Sequence, residues 1–177
     1  MQHSQGTDVV SDRLERRREV DRHGDADARL AAAIGADVLA HAPVERLSAA
    51  AIDAWKGRAV IGTLAAFGAS PDALDNLARL RAAGATVLYG TDFGNTRDAG
   101  ISVMEIAAML AAGLGGDAIV ESATAAPARV WGLVDHGAIE VGRSASLLVL
   151  DADPREDPLT LARPLQVWID GTRRDAG

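Results

Sequence analysis

Apolar residues in this chain fall into short runs that alternate with longer amphipathic stretches. Asp37 to Ala40, Ala59 to Gly62 and Thr86 to Tyr89 are brief and almost wholly apolar. Runs of that length with no polar alternation predict strands covered on both faces. Helical segments lie between and after them. Asp25 to Ile34 is alanine-rich and stops at Gly35; alanine has the best helix propensity and glycine is the commonest C-terminal stop. Ser48 is placed to cap a helix running to Trp55 or Lys56. Ser70-Pro71-Asp72 starts another, with serine as the cap and proline at the first position, and Gly84 ends it. Further helices are predicted over about 101–112, 117–122 and 127–131. Strands and helices alternating at this spacing predict consecutive βα units of a parallel sheet.

After Leu133 the texture changes. Ile139 to Val141, Ser146 to Leu150 and Gln166 to Ile169 are strand-like, separated by Gly142 and by Asp153-Pro154. The amino-terminal end differs again. Ser11 to Arg22 is dense in Arg, Glu and Asp around Arg16-Arg17-Arg18. Such a charge run predicts a solvated or disordered segment, or at most one loose helix over about 10–20. The chain therefore divides into a charged segment at 1–22, an α/β unit at 23–134 and a small β unit at 135–177.

Composition narrows the function classes. A chain of 177 residues can bury one sizeable core. Its net charge of −7 disfavours a general nucleic-acid surface. It has no cysteine, which removes disulfides and thiolate metal sites. No stretch is long and apolar enough to span a bilayer, and the polar first residues do not read as a signal peptide. A cytoplasmic protein acting on a small-molecule substrate, with no nucleic-acid or membrane partner, is the expectation. A nucleotide-binding α/β domain is the weaker alternative. No Gly-x-Gly-x-x-Gly follows a strand, and Gly113-Leu114-Gly115-Gly116 follows a helix.

The candidate chemistry sits where the strands end. Asp92, in Gly90-Thr91-Asp92-Phe93-Gly94-Asn95, directly follows an apolar strand. α/β barrels place reacting groups at the carboxyl ends of their strands, and a carboxylate there can hold a metal or move a proton. The competing reading is a turn aspartate that caps the next segment. His41 ends the first apolar strand and precedes Ala42-Pro43. Imidazole is the commonest protein metal ligand, although a lone histidine is more often a carbonyl-bonded structural residue. Thr63 follows a strand and could line a site mouth, although an ordinary strand-end threonine is the commoner case; Asn95 and Arg97 lie in the loop after Asp92 and could touch substrate. Glu105 is read as a residue that holds a loop or packs a helix start. His136 is read as exposed and structural.

Several segments in order resemble the carboxyl-terminal half of the metal-dependent amidohydrolase superfamily, in particular its imidazolonepropionase-like and prolidase-like members. They are Gly35 to His41, the GTDFGN segment, Ala123-Thr124-Ala125-Ala126-Pro127-Ala128, Trp131-Gly132-Leu133, Ala138 to Gly142, and Leu147 to Asp151. The resemblance runs from about His23 to Gly171. It implies the last three to four βα units of a TIM-type (β/α) barrel, followed by the remnant of a small β-sandwich. His41 would be the metal ligand of the sixth barrel strand and Asp92 the metal-binding, catalytic carboxylate of the eighth. The implied cofactor is a divalent metal, zinc in the first instance. The implied reaction is hydrolysis of a non-peptide C–N bond. Asp92 would take a proton from water and return it to the leaving nitrogen.

The chain departs from the family pattern in specific places. His23-Gly24 resembles the second half of the family's His-x-His-Gly pattern after strand five, but Asp21 stands where the first histidine belongs. No His-x-His occurs anywhere. Lys56, the single lysine, lies at a helix end before a strand and does not match the strand-four lysine that bridges two metals in some members. Ala145-Ser146 replaces the usual Ala-Asp before the Leu-Leu-Val-Leu strand. With His41 and Asp92 alone, the three-ligand set of a catalytic zinc is not reached. The expectation is an incomplete fragment of such an enzyme, inactive alone. The alternative is a non-catalytic remnant, or a subunit that needs a partner chain: a homo-oligomeric copy or a complementing amino-terminal half.

Overall fold

A computed structural model describes residues 19–20, 24–96 and 100–174. His23, Arg97 and most of the charged segment lie outside the described residues.

The first unit is a four-stranded parallel sheet in sequence order: β1 (Glu19–Val20), β2 (Val38–Leu39), β3 (Ala59–Ile61) and β4 (Thr86–Leu88). All three pairings are parallel, with Val38 opposite Ala59 and Val60 opposite Val87. The connections are α1 (Asp25–Ala33), α2 (Ala49–Ala54) and α3 (Pro71–Ala82), the last preceded by a 3-10 turn at Ala65–Phe67. α4 (Val103–Ala111), α5 (Gly116–Ala123) and α6 (Ala125–Trp131) follow β4. The mixed α/β class matches the expectation, and so do the capping residues. Ser48 and Ser70 accept hydrogen bonds from the Ala51 and Ala73 amides, 3.2 Å each, as serine caps should.

One boundary moves. Glu19 and Val20 were expected in the charged segment, yet they pair with Val38 and Leu39. Parallel pairing to a neighbour that already has one free edge outweighs the local charge pattern, because each backbone group gains a partner.

Register divides the strand residues between two faces. Leu39, Val60 and Val87 pack with Trp55, Leu77, Leu80, Ile106 and Met109 of the helices. Val38, Ala59 and Leu88 pack on the other side with Ala126 of α6, flanked by Ile61, Val130 and Trp131. Both faces are covered, which is why these strands carry no polar alternation. Trp55 is fully buried and its indole N–H donates to the Ala28 carbonyl at 3.0 Å, tying α2 to α1. Outside the ring, the Arg58 guanidinium lies 5.6 Å from the Trp55 centroid and donates to the Ala36 carbonyl.

The second unit is an antiparallel sheet in the order β5 (Leu147–Val149), β6 (Gln166–Ile169) and β7 (Thr172–Arg174). A 3-10 segment, Pro158–Ala162, packs against α4 and α5. β5 and β6 fall where the apolar pattern put them. Ile139 to Val141 does not form the expected strand: it is irregular, with Ile139 and Val141 exposed. No strand among the described residues lies alongside to pair with it. Ser146, the departure from the family pattern, does local work. Its Oγ accepts from the Asp170 amide at 3.1 Å, and the Ser144 hydroxyl donates to Asp170 Oδ1 at 2.6 Å, closing the β6–β7 turn.

Between α5, α6 and the second sheet runs a groove of about 740 Å³. Its walls include Ile101, Val120, Leu133, Leu148, Leu161 and Trp168. Among the described residues, no helix is long and apolar enough to cross a membrane.

Candidate active-site rim

Because β2, β3 and β4 are parallel, their carboxyl ends share one rim. His41 follows β2, Thr63 follows β3 and Asp92 follows β4. β3 separates His41 from Asp92, so their backbones start about 10 Å apart, two strand spacings.

Two backbone features shape this rim. Thr63 and Asp92 both occupy the left-handed region, with φ of 49° and 54°. Non-glycine residues rarely adopt it, and when they do the surrounding structure must hold them there. Gly90 is the third element. A Cβ at this position would collide with the Ile61 side chain and come within 3.1 Å of Thr63 Cγ2. Glycine therefore lets the end of β4 approach the end of β3, and Thr91-Asp92 leaves the sheet from that close contact.

Asp92 is held by its own loop. Its carbonyl accepts from the Asn95 and Thr96 amides at 3.1 and 3.0 Å. The Asn95 side-chain amide donates to Asp92 Oδ2 at 2.8 Å, engaging one of the two carboxylate oxygens. The turn-capping and chemical readings thus share one residue: the turn fixes where the carboxylate stands. Phe93, next to it, is two-thirds exposed and puts an apolar ring on the loop.

His41 is half-buried, with Nδ1 2.8 Å from the Thr63 hydroxyl and its ring 4.7 Å from that of Phe67. The segment after it is pinned by Asn76 of α3, which is fully buried. The Asn76 amide nitrogen donates to the Pro43 and Glu45 carbonyls at 2.8 and 2.7 Å, and its oxygen accepts from the Leu47 amide at 2.9 Å. Sequence reading passed over Asn76. The signal was present: it sits at helical spacing among Ala73, Leu77 and Leu80, a polar residue on an apolar stripe.

Glu105 is fully buried. Ser102-Val103-Met104-Glu105 has capping-box spacing, and the Ser102 hydroxyl accepts from the Glu105 amide at 3.3 Å. The reciprocal bond is replaced. The Ser102 amide donates to the Tyr89 hydroxyl at 2.7 Å, and the Glu105 carboxylate crosses to accept from the Ala65 amide, also at 2.7 Å. Its Oε1 has no hydrogen-bond partner among the described residues. Burial pushes the Glu105 carboxyl above its ordinary range, opposed by the Ala65 and Leu64 amides. Its contacts hold the segment after β3, at Leu64 and Ala65, and not the loop after Asp92 that its sequence position suggests. Burial likewise raises the Tyr89 phenol.

Thr63 joins His41 directly, which sequence reading had not anticipated. Lys56 ends up beside the α2–β3 turn at the opposite rim, next to Gly84. His136 is exposed and lines the groove beside the second sheet. Among the described residues, no group of three or more His, Cys, Asp or Glu side chains could hold a metal ion. His41 and Asp92 have the right donor chemistry, but the described residues do not complete a three-ligand site.

The profile of the amidohydrolase family matches residues 21–174, most of the chain. This chain belongs to the amidohydrolase family. Amidohydrolase structures of low sequence identity share its fold. An Xaa-Pro dipeptidase with bound methionine aligns with a TM-score of 0.77 at 20% identity, covering 96% of this chain and 47% of its own. A putative prolidase from Bifidobacterium longum aligns at 0.70 and 21%, covering 95% and 49%. Molinate hydrolase aligns at 0.68 and 20%, covering 96% and 45%. The amidohydrolase chain described here thus spans just under half the length of these structures. No curated protein matches it.

Proposed function

We propose that this chain is the carboxyl-terminal part of a metal-dependent hydrolase acting on non-peptide C–N bonds. The observation that carries this reading is the common rim: in an amidohydrolase chain, His41 and Asp92 leave parallel strands on the same side of the sheet. The four parallel strands are read as the last four of a barrel, and the antiparallel sheet as part of a β-sandwich. Amidohydrolases generally bind divalent metals, and His41 and Asp92 would supply two of the donors. Hydrolysis of a C–N bond needs a group that accepts a proton from water and delivers one to nitrogen. Asp92 is assigned that work. The similar dipeptidase, prolidase and molinate hydrolase structures support a hydrolase reading.

A second observation favours the reading that the chain needs a partner segment. The described residues offer no three-ligand cluster, and the chain spans 47% of the dipeptidase it aligns with. Completion from an amino-terminal half, in cis or as a second chain, follows from this reading.

The experiment measures zinc content and amide or lactam hydrolysis for the chain alone and for the chain joined to any upstream His-x-His-encoding segment. Turnover is expected only in the joined protein and is expected to vanish in Asp92→Asn. Turnover that survives Asp92→Asn removes the assignment. Stoichiometric zinc and turnover in the chain alone would make it a minimal enzyme.

A further inference from the structure

The strand ends that carry His41 and Thr63 are closed by a ring of hydrogen bonds. The Gly62 carbonyl accepts from the Ala42 amide at 3.2 Å, which ties the residue after His41 to the end of β3. The same carbonyl accepts the Thr63 hydroxyl proton at 2.7 Å. A threonine hydroxyl has one proton. Once it is given to Gly62, the hydroxyl can only accept at its other contact, so His41 Nδ1 must bring the hydrogen across their 2.8 Å separation. Thr63 is 3% exposed, so water does not compete for this contact. Its φ of 49° is costly for a β-branched residue. The Gly62 amide bond to Leu88 at 2.8 Å and the Glu105 bond to Ala65 hold the backbone on either side of it.

We propose that Thr63 is a positioning residue that fixes His41 as the Nδ1–H tautomer, leaving Nε2, on the far side of the ring, as its basic nitrogen. The group a histidine offers is set by the bond its other nitrogen makes. A metal-binding or proton-accepting role for His41 then falls to Nε2. That consequence rests on the functional reading above; the tautomer itself does not. The plain alternative is that Thr63 only fills space, in which case valine would serve as well.

Long-range 1H–15N correlation spectra of the uniformly 15N-labelled chain decide this. They are recorded without metal at about pH 8.5, roughly two units above the ordinary imidazole value. His41→Gln identifies the His41 signals. The wild type is expected to show His41 protonated at Nδ1, and Thr63→Ser, which keeps the hydroxyl, to show the same. Thr63→Val is expected to shift the proton to Nε2 in most molecules. If Thr63→Val does not fold, Thr63→Gly, which suits a positive φ, replaces it. A wild-type ring protonated at Nε2, or an unchanged Nδ1–H signal in the folded variant without the hydroxyl, overturns the proposal. Zinc titration separates the two readings. An Nδ1–H ring in a completed protein that never takes up zinc upholds the role of Thr63 and removes the metal assignment. In a completed protein that does bind zinc, Thr63→Val should weaken binding by about 10- to 100-fold, the usual effect of losing a group that orients a ligand.

Discussion

Glycine at position 90 and glutamate at position 105 set the rim through packing and through charge. Gly90→Ala would drive a methyl into the Ile61 and Thr63 side chains. It is expected to cost about 1–3 kcal/mol in urea melts, the range for overpacking a filled site. Glu105 makes a pH-dependent contribution. Its carboxyl is raised in the fold by burial, so the native state holds the proton more tightly than the unfolded chain does. Stability from this group is fully present below the unfolded pKa and is lost as pH rises through the raised, folded value. Glu105→Gln removes the titration. The stability of the wild type relative to this variant should therefore fall as pH rises above the ordinary glutamate value of about 4.3, followed by denaturant midpoints at each pH. A constant difference across that rise would show that the carboxyl titrates normally. At this scale, much was legible. The Gly-Thr-Asp segment and His41 stand out because strands end at them. Thr63 and Asn76 were hard to read because their roles depend on partners about twenty to thirty residues away.

β2, β3, β4 and the helices around them could be located from local signals, since caps, glycine stops and apolar runs act within a few residues. Where pairing depended on distant partners, local pattern misled in both directions. Glu19–Val20 looks like part of a charged tail but pairs with β2. Ile139 to Val141 looks like a strand but stays irregular. β1 leads to a direct test. Deleting residues 1–18 should leave the thermal midpoint nearly unchanged, whereas deleting 1–23 should lower stability by about 1–2 kcal/mol, the worth of a pair of ladder hydrogen bonds. Equal midpoints for the two truncations would mean β1 contributes nothing. Between β2 and α2, Asn76→Ala would leave the Pro43 and Glu45 carbonyls and the Leu47 amide without their partner. A loss of about 3 kcal/mol is expected, with faster amide exchange at Leu47 than elsewhere in the core.

For the molecule as a whole, an open sheet edge meets an apolar groove at the second unit. Among the described residues β5 pairs only with β6, and beside it the groove is walled by Leu148, Leu161, Val120 and Trp168. Exposed Ile139 and Val141 extend the apolar surface. An unpaired edge next to apolar surface favours association. Sedimentation of the isolated chain should therefore show concentration-dependent self-association, relieved when the upstream half is supplied. A chain that stays monomeric at all concentrations would argue that this side is already satisfied.

Two of the three tryptophans can serve the molecule as built-in optical reporters. Trp55 is sealed in the core and bonded to Ala28, so its emission follows global unfolding. Trp168 lies at the groove, with its indole N–H donating to the Gln166 side chain at 3.0 Å. Any segment that fills the groove must displace water from that ring and shift its emission to shorter wavelength. A chain keeping only Trp55 should stay dark to docking and report only melting. A chain keeping only Trp168 should light up the arrival of whatever completes this side, before any catalysis is assayed.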